Sequence, residues 1–285
     1  MDLRQSEKYA CYMESLGWIV EKIGKTNVFI KKILFFSVIK VQRFDGLDLE
    51  KLKILAKKYR TILVKLEPLI ARLHPAKPDS WPLLPTKTIV LDLENINLPK
   101  DTRYEIRKAE GNRLFTKIAS QEQLLRDQFI KCWHQHAKNK NFWIPMYREI
   151  RNLATAFEKD YYLFLTHLPS DRSTSVLNSI AGALIIINNN CAHYMYAFST
   201  PEGRKVSAPY LVMWEIIKFC QKMGLKYLDL EGIYDERFPK NNKSWMGFTK
   251  FKMGWGGKIV EYPGSFTKHF LFQIVPLSIP GLLLL

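Results

Sequence analysis

Residues 244–257 combine aromatic side chains with two lysines in a short stretch of the chain. The pattern predicts a short helix with Ser244 as its N-cap, because a serine hydroxyl at that position accepts from free backbone N–H groups. The pair Gly256-Gly257 is expected to close the helix, since glycine adopts the left-handed conformation of a helix end with least cost. A strand is predicted directly after it, at residues 258–262.

The side chains of this predicted helix fall on different faces. Phe248, Phe251 and Trp255 are three and four residues apart and therefore share one apolar face. Lys250 and Lys252 project from other faces, with Lys252 one turn after Phe248. A lysine fixed by a well-packed helix can stabilise negative charge that develops during a reaction. The same pattern also fits a packing helix whose lysines are solvated.

A group of tyrosines lies earlier in the chain, between residues 194 and 210. Alternation along residues 193–199 places Tyr194 and Tyr196 on one face of a strand that ends at Ser199. Tyr210 lies on the first turn of a helix predicted from Pro209 to Met223. These hydroxyls could meet a substrate, although half-buried tyrosines are also ordinary packing residues of strands.

The sequence contains no Ser/His/Asp order, His-Glu-x-x-His motif or phosphate-binding loop. This inventory fits a transfer without a protein nucleophile, in which an incoming amine attacks an activated ester directly.

A basic helix is predicted near the middle of the chain. Thr102 and Glu105 have the spacing of a capping box, and the helix is expected to end at Gly111. Arg103 and Arg107 are four residues apart and so lie on one side. We interpret this helix as a bridge between two halves of the chain, with a solvated basic face as the alternative.

The composition indicates a globular protein with an unusual charge. The 285 residues are 47% hydrophobic and 25% charged, which is ordinary, but 43 Lys and Arg against 27 Asp and Glu give a net charge of +16. Such an excess attracts nucleic acid or an anionic membrane surface, although some proteins are basic for no local reason. The four cysteines are scattered and form no metal motif, so free thiols in the cytoplasm are the simplest expectation.

Neither end of the sequence resembles a membrane-spanning or secretory segment. The first residues are charged and polar, unlike a secretory signal. The apolar tail 270–285 contains Pro276 and Pro280 and is shorter than the roughly 20 residues of a membrane span. We expect it to dock on the protein or to lie at a bilayer interface.

The order of predicted elements from Arg113 onwards is β-α-α-β-β-β-α-β-α-β, with Ser120 and Gln123 forming a second capping box and the second helix running from about Pro145 to Lys159. This order is that of the GNAT acyltransferase fold. We therefore predict an α+β or α/β protein with two GNAT-like domains, residues 1–112 and residues 113–285, of which the first is shorter.

The segment that would bind the pyrophosphate of acyl-CoA in a GNAT enzyme is poor in glycine here. Residues 200–209 contain one glycine, and Pro209 removes a backbone N–H donor from the helix start. This departure argues against acetyl-CoA as the acyl donor, and we keep a GNAT-type N-acyltransferase that uses acyl-CoA or another thioester as the alternative function.

Several linked motifs resemble the FemABX peptidyltransferase family, and the resemblance spans nearly the whole chain. They are Tyr-x-Tyr-Ala-x-Ser ending at Ser199, Ala-Pro-Tyr-Leu-x-x-Trp ending at Trp214, Gly-x-x-Tyr-x-Asp ending at Asp229, Glu-Gly-Ile ending at Ile233, and Trp-x-Gly-x-Thr-x-Phe-Lys-x-Gly-x-Gly-Gly ending at Gly257. Earlier matches are Leu-Glu-Pro ending at Pro68, Thr-x-x-Leu-Asp-Leu ending at Leu93, and Arg-x-x-Ile-Arg-Lys-Ala ending at Ala109.

The resemblance implies an aminoacyltransferase of peptidoglycan biosynthesis, and so a role in cell-wall organisation and cell shape. Such enzymes move an amino acid from aminoacyl-tRNA to the stem peptide of a peptidoglycan precursor, and no cofactor is implied. Lys252, which follows Phe251 in the family's Phe-Lys pair, is the implied catalytic residue. The implied substrate contacts are Tyr194, Tyr196, Ser199, Tyr210 and Phe251, and those proposed for tRNA are Arg103, Arg107, Lys250 and Lys258.

Two departures from the family affect substrate recognition. Many members carry Thr-x-x-Arg after the first helix of the second domain, where this chain has residues 136–139 with Lys138 and Lys140 as the nearest cations. The chain also lacks room for the coiled-coil arm of some members. The implied location is cytoplasmic, with peripheral contact to the inner face of the anionic cell membrane. A non-catalytic adaptor for RNA or membrane is a third reading. The oligomeric state is left open, with a monomer favoured.

Overall fold

The computed structural model of the chain describes residues 2–70, 78–139, 147–170 and 178–270. The chain divides into two compact units. Unit 1 contains residues 1–87, 235–243 and 261–285, and unit 2 contains residues 88–234 and 244–260. Lys140 and Pro145 lie outside the described residues, as does the apolar tail from residue 271 onwards. A bilayer-spanning helix is not found among the residues that are described.

Unit 1 is a five-stranded sheet with helices packed against it. Its strands follow the order β1-β2-β3-β4-β12, in which β3 and β4 are parallel and the other neighbours antiparallel. Helix α2 forms the crossover that a parallel pair requires. The elements are α1 (Glu7–Ser15), β1 (Ile19–Ile23), β2 (Thr26–Ile33), β3 (Phe36–Phe44), α2 (Leu49–Lys58), β4 (Thr61–Pro68), α8 (Pro239–Asn242) and β12 (Phe266–His269).

The core of unit 1 follows from two periodicities. Apolar residues two apart on β2, β3 and β4 lie on one face of the sheet, and Leu52 and Ala56, one helical turn apart, cover them from α2. Residues 17–44 alternate apolar and polar side chains in patches, which fits the two hairpins of β1, β2 and β3, and the spacing of the leucines and isoleucine in residues 48–60 fits the helix α2.

Unit 2 is built on a seven-stranded sheet of order β11-β5-β10-β9-β8-β7-β6. The pair β9 and β10 is parallel, and α7 is the crossover between them. The elements are β5 (Lys87–Asp92), α3 (Lys100–Gly111), β6 (Phe115–Ala119), α4 (Gln123–Asn139), α5 (Tyr147–Phe157), β7 (Tyr161–His167), β8 (Ser179–Asn188), β9 (Cys191–Ser199), α6 (Pro201–Lys205), α7 (Ala208–Lys222), β10 (Tyr227–Asp229), α9 (Met246–Met253) and β11 (Lys258–Glu261).

The division between the units differs from the predicted boundary at residue 112. Strand β5 pairs with β10, with Leu91 opposite Leu228, so it belongs to the second sheet. Helix α3, which we interpreted as a bridge, lies wholly in unit 2. Its Thr102 hydroxyl donates to the carbonyl of Gly254 on that unit. Local sequence could not show this, because the contacts join residues more than 100 positions apart.

Three predicted helix starts are wrong. Helix α3 begins at Lys100 with Pro99 as N-cap, so the buried Thr102 is not a cap and Glu105 accepts from the Ser207 hydroxyl instead. Helix α4 begins at Gln123, and the Ser120 N–H donates to Glu122. At α3 the side chains of Thr102 and Glu105 are thus used in tertiary hydrogen bonds and no side chain caps the helix, whereas at α4 the adjacent Glu122 binds the N–H group that Gln123 would bind in a capping box.

The helix around Lys252 also starts differently. Ser244 lies within a 3₁₀ turn, residues 243–245, and α9 begins at Met246 after Trp245, whose backbone is helical. Gly254 is the C-cap, and Gly256 and Gly257 follow with φ of 75° and 88°. The predicted left-handed glycine pair is therefore present, just beyond the helix end, and the predicted strand follows as β11.

Gly203 has a packing role in the segment where a GNAT enzyme would bind a pyrophosphate. Thr200 caps α6 by accepting from the Gly203 N–H at 3.0 Å, while the Thr200 N–H donates to the Ile180 carbonyl at 2.9 Å. A Cβ atom on Gly203 would lie 2.3 Å from that carbonyl oxygen. The glycine thus allows α6 to lie close to the backbone at the start of β8.

We expect Gly203→Ala to destabilise the protein by about 1–3 kcal/mol, because the added methyl group overlaps the backbone of Ile180. Gly111→Ala is the matched control, since no atom lies within 4 Å of its Cβ position. Denaturant unfolding of both variants tests this. Equal unfolding midpoints for the two variants would show that α6 can move away from β8 without loss.

Candidate functional site

Lys252 is the buried residue of an otherwise exposed or half-buried helix. Its side chain is 7% exposed. The ammonium donates to the carbonyl oxygens of Leu230 and Gly232 at 2.5 and 2.7 Å. It also lies 4.8 Å from the Phe248 ring centroid and 5.8 Å from that of Tyr194. The lysine predicted to be catalytic is therefore held in a defined position rather than solvated.

The two carbonyls belong to a turn after β10 with unusual backbone geometry. Glu231 and Gly232 have φ of 52° and 109°. The Glu231 N–H donates to the Asp229 carboxylate at 2.8 Å, and the Gly232 N–H donates to the Thr88 hydroxyl at 3.0 Å. The Thr88 hydroxyl in turn donates to Asp229 at 2.6 Å. These bonds keep the turn in a conformation that a glutamate seldom adopts.

His193 on β9 completes this arrangement. Its Nδ1 atom lies 2.6 Å from a carboxylate oxygen of Glu231, and both side chains are 7% exposed. This pair fixes the side chain of Glu231. The residues before and after Glu231 are Leu230 and Gly232, whose carbonyls accept from the Lys252 ammonium. We call His193, Asp229, Glu231 and Lys252 the buried charge cluster.

Charges within the cluster determine which groups are ionised. Burial lowers the pKa of Lys252 to about 8, against the opposing effect of Asp229 and Glu231. Burial also raises the pKa of Asp229, reinforced by the Glu231 carboxylate. For His193, burial acts to lower the pKa, but hydrogen bonds to Cys191 and Glu231 outweigh it and raise the pKa well above its ordinary value. Both basic groups of the cluster are thus cationic at neutral pH.

His193, Asp229 and Glu231 also have the donor types of a metal site, with ligand atoms within 4.8 Å of one another. Their polar atoms are also hydrogen-bonded: His193 Nδ1 lies 2.6 Å from a Glu231 carboxylate oxygen, and Oδ1 of Asp229 accepts from Thr88 and from the backbone. The three side chains thus form a hydrogen-bonded cluster around the turn after β10.

Sequence analysis missed three of the four members of this cluster as site residues. Asp229 and Glu231 lie within motifs of the family resemblance, and His193 directly precedes Tyr194. None had a distinctive local spacing, because His193 and Glu231 are 38 residues apart. The pairing of β9 with β10 is what brings the histidine and the two carboxylates together in a buried position.

The two strand tyrosines do not share a face, contrary to the prediction. Tyr196 pairs with Leu184 and Tyr194 with the next residue of β8, Ile185, so that Met195 is an extra residue in β9. Such a bulge reverses the alternation of side chains. Tyr194 consequently faces the core near Lys252, whereas Tyr196 packs edge-on against Trp133 of α4 at 5.2 Å.

Tyr210 and Phe251 are close together on unit 2. Their ring centroids are 5.1 Å apart, and Trp255 lies 5.9 Å from Tyr210. This aromatic group joins the first turn of α7 to the helix that carries Lys252. Phe251 and Trp255 thus share the predicted apolar face, while Phe248 packs on Trp245 at 5.5 Å and over the ammonium.

The remaining predicted substrate contacts lie near α4. The carbonyl of Ser199 accepts from Arg204 at 2.7 Å and lies 3.1 Å from Nδ1 of His136. Lys138 is exposed on the last turn of α4. Lys140 is outside the described residues. The structure therefore places Tyr196, Ser199 and Lys138 with α4, and Tyr194, Tyr210 and Phe251 with the helix of Lys252.

Arg103 and Arg107 line a groove of about 450 Å³ on unit 2 with Leu98, Ile106, Glu110 and Trp214. Both arginines are exposed, and the Trp214 ring is half-buried. Two guanidinium groups next to an indole can bind phosphate and stack a base. Lys250 and Lys258 are also exposed. Lys258 lines a separate cavity of about 310 Å³ with Trp255, Gly257 and residues 90–92 and 95–97.

Comparison with known proteins gives a family match and several similar folds. Residues 170–271 match the model of the FemAB family. The solved structure of FemX has a TM-score of 0.75 at 15% identity, covering 94% of this chain and 92% of that one. The C-terminal domain of a putative lysylphosphatidylglycerol synthetase from Agrobacterium fabrum has a TM-score of 0.64 at 11% identity, covering 91% and 87%.

A third structure, L-PGS from Bacillus licheniformis, also has a TM-score of 0.64 at 11% identity, covering 95% of this chain and 91% of that one. At these identities the structural matches show the fold alone. No curated protein matches the chain. The predicted fold class, an α+β protein with two GNAT-like domains, is confirmed.

We expect Glu231→Gln to lower the pKa of Lys252 below its value of about 8, because the neighbouring carboxylate favours the ammonium form. A titration followed by NMR of lysines labelled at Cε measures this directly, with Lys252→Met identifying the signal. Glu215→Gln removes a carboxylate from a surface pair with Lys218 and is the control.

Should Glu231→Gln disturb the turn, Asp229→Asn gives the same test, since Asp229 also raises this pKa. An unchanged Lys252 titration in both variants would show that the carboxylates do not act on the ammonium.

Proposed function

The chain resembles the FemABX family, with the FemAB match over residues 170–271, and from this premise we propose that it is an aminoacyltransferase. In this proposal it moves an amino acid from aminoacyl-tRNA to the stem-peptide amine of a peptidoglycan precursor, as in the formation of interpeptide bridges. The family match, the fold shared with FemX and the buried charge cluster support it.

The observation that carries the proposal is the fixed ammonium of Lys252. Two of its three N–H donors are bound by backbone carbonyls, so its position does not depend on the substrate. A preorganised cation in a buried environment stabilises developing negative charge more strongly than a solvated one. With a pKa of about 8, most of the ammonium form is retained at neutral pH.

The proposed reaction needs no protein nucleophile. The free amine of the precursor attacks the ester carbonyl carbon of aminoacyl-tRNA, forming the C–N bond and an oxyanion intermediate. Collapse of the intermediate breaks the C–O bond to the terminal ribose, and the proton released by the amine passes to the ribose oxygen. Lys252 would stabilise the oxyanion electrostatically, and His193 with Glu231 would hold the turn that positions Lys252.

Donor binding is proposed for the groove of Arg103, Arg107 and Trp214. Its cations would neutralise phosphates of the acceptor end while the indole stacks a base. The net charge of +16 strengthens attraction to tRNA as a whole. Lys250 and Lys258 remain proposed further contacts.

The proposed acceptor and cellular location also rest on the resemblance to the FemABX family. Tyr194, Tyr196, Tyr210, Ser199 and Phe251, with Lys138 and Lys140, remain proposed contacts of the precursor. We propose that the transfer uses no cofactor and takes place in the cytoplasm at the inner face of the membrane. The four free cysteines suit a reducing compartment.

We expect Lys252→Met to lower the rate of amino-acid transfer by about 10²-fold or more, the effect of losing one oxyanion-stabilising donor. The assay uses labelled aminoacyl-tRNAs and a peptidoglycan precursor and follows the label into the peptide. Lys222→Met is the control, because Lys222 is an exposed lysine of α7 that is not a proposed contact of either substrate. Melting temperatures and tRNA affinities of both variants show whether the fold is kept.

A second readout is the pH profile. Because the ammonium form is lost as the pH rises through about 8, wild-type transfer should decline above that pH. Wild-type turnover by Lys252→Met would refute the proposed role.

We expect the double variant Arg103→Gln/Arg107→Gln to weaken tRNA binding and to reduce the slope of log affinity against log salt by about 1–2, as for the loss of one or two phosphate contacts. Arg148→Gln/Lys222→Gln, which removes two exposed cations elsewhere on unit 2, is the control. Filter binding over a range of salt concentrations measures both slopes, and equal slopes for the two double variants would contradict the assignment of the groove.

A further inference from the structure

The hairpin between β2 and β3 on unit 1 ends in three consecutive exposed apolar side chains. Leu34, Phe35 and Phe36 are 92%, 78% and 43% exposed. Leu34 has φ of 54°, so this tight turn projects the side chains away from the sheet. Single exposed apolar residues are common, but three in succession at a tip indicate a contact surface.

Basic residues lie towards the same end of the sheet as this tip. Lys32 lies on the same hairpin, and the Arg60 carbonyl accepts from the Ser37 N–H at 3.3 Å. Lys268 is near the end of β12, where its ammonium lies 5.3 Å from the Phe270 ring. Lys32, Arg60 and Lys268 are exposed, and none forms an ion pair with a carboxylate of the described residues.

Phe270, which follows β12, lies at the same end of the sheet. Strand β12 pairs with β4, His269 lies opposite Leu63, and the Phe270 N–H donates to the Ile62 carbonyl at 3.0 Å. Residues 61 and 37 are also partners, so Phe270 emerges at the end of the sheet that carries the hairpin tip. The following residues, 271–285, contain no charged side chain.

We propose that this end of the sheet docks on an anionic lipid bilayer. The hairpin-tip surface consists of Leu34, Phe35 and Phe36 with Lys32, Arg60 and Lys268. Its apolar side chains enter the boundary between headgroups and acyl chains, and its cations bind the negatively charged headgroups. The sequence that follows Phe270 carries no charged side chain, as expected for a chain next to a bilayer. The surface lies on unit 1 and does not depend on the proposed activity.

A second copy of the chain fits the surface less well than a bilayer. A stable protein interface buries about 800 Å² on each partner, more than three side chains on a hairpin tip provide. Symmetric pairing of two tips would also bring the two sets of cations together. A bilayer, in contrast, needs only a few inserted apolar groups when anionic lipid attracts the cations around them.

Vesicle co-sedimentation of the full chain tests the proposal. We expect binding to vesicles that contain phosphatidylglycerol and phosphatidylcholine, weaker binding to phosphatidylcholine alone, and loss of binding at high salt. Leu34→Ser/Phe35→Ser should lower the apparent affinity for the anionic vesicles by about tenfold or more, because two apolar side chains are no longer buried. Lys32→Glu/Arg60→Glu should lower it as well.

The matched control is Ile54→Ser/Leu124→Ser, which removes two side chains that are 70% and 81% exposed elsewhere. It should bind like wild type. Wild-type binding by Leu34→Ser/Phe35→Ser would overturn the proposal, because residues 271–285 or general charge would then account for the attraction. The proposal would also fail if the tip substitution changed only the oligomeric state measured by light scattering.

Discussion

The burial of one ammonium group constrains much of unit 2. A buried cation is unfavourable unless polar groups surround it, and Lys252 has the carbonyls of Leu230 and Gly232 at hydrogen-bonding distance. Those carbonyls point to the ammonium only because the turn adopts left-handed backbone at Glu231. Thr88 and His193, from two other strands, hold that turn in place.

The sheet of unit 2 is what brings these groups together. Strand β10 lies between β5, which supplies Thr88, and β9, which supplies His193. The bulge at Met195 directs Tyr194 towards the buried charge cluster. The arrangement keeps a cation available in an environment of low polarity, which is the condition under which a single charge affects a reacting ester most strongly.

Part of the site and the fold could be predicted from the sequence, and part could not. Lys252 was identified because it follows Phe251 in a family motif, and the left-handed glycine pair beyond α9 was predicted from the conformational preference of glycine. The pairing of His193 with Glu231 was hidden because it depends on strand order rather than on local spacing. The face of Tyr196 was mispredicted because one bulged residue reverses the alternation of side chains. The start of α3 was mispredicted because the side chains of Thr102 and Glu105 make tertiary hydrogen bonds instead of capping the helix.

In the proposed reaction the Lys252 ammonium lies beside the ester that is cleaved. The most direct measurement is a crystal structure with a stable amide analogue of the aminoacylated 3′ end of tRNA. We predict that Nζ of Lys252 lies about 3–4 Å from the carbonyl oxygen of the aminoacyl group, close enough to stabilise an oxyanion. An analogue bound with this oxygen more than about 8 Å away, with other side chains in between, would contradict the account, because such a separation exceeds the reach of the ammonium.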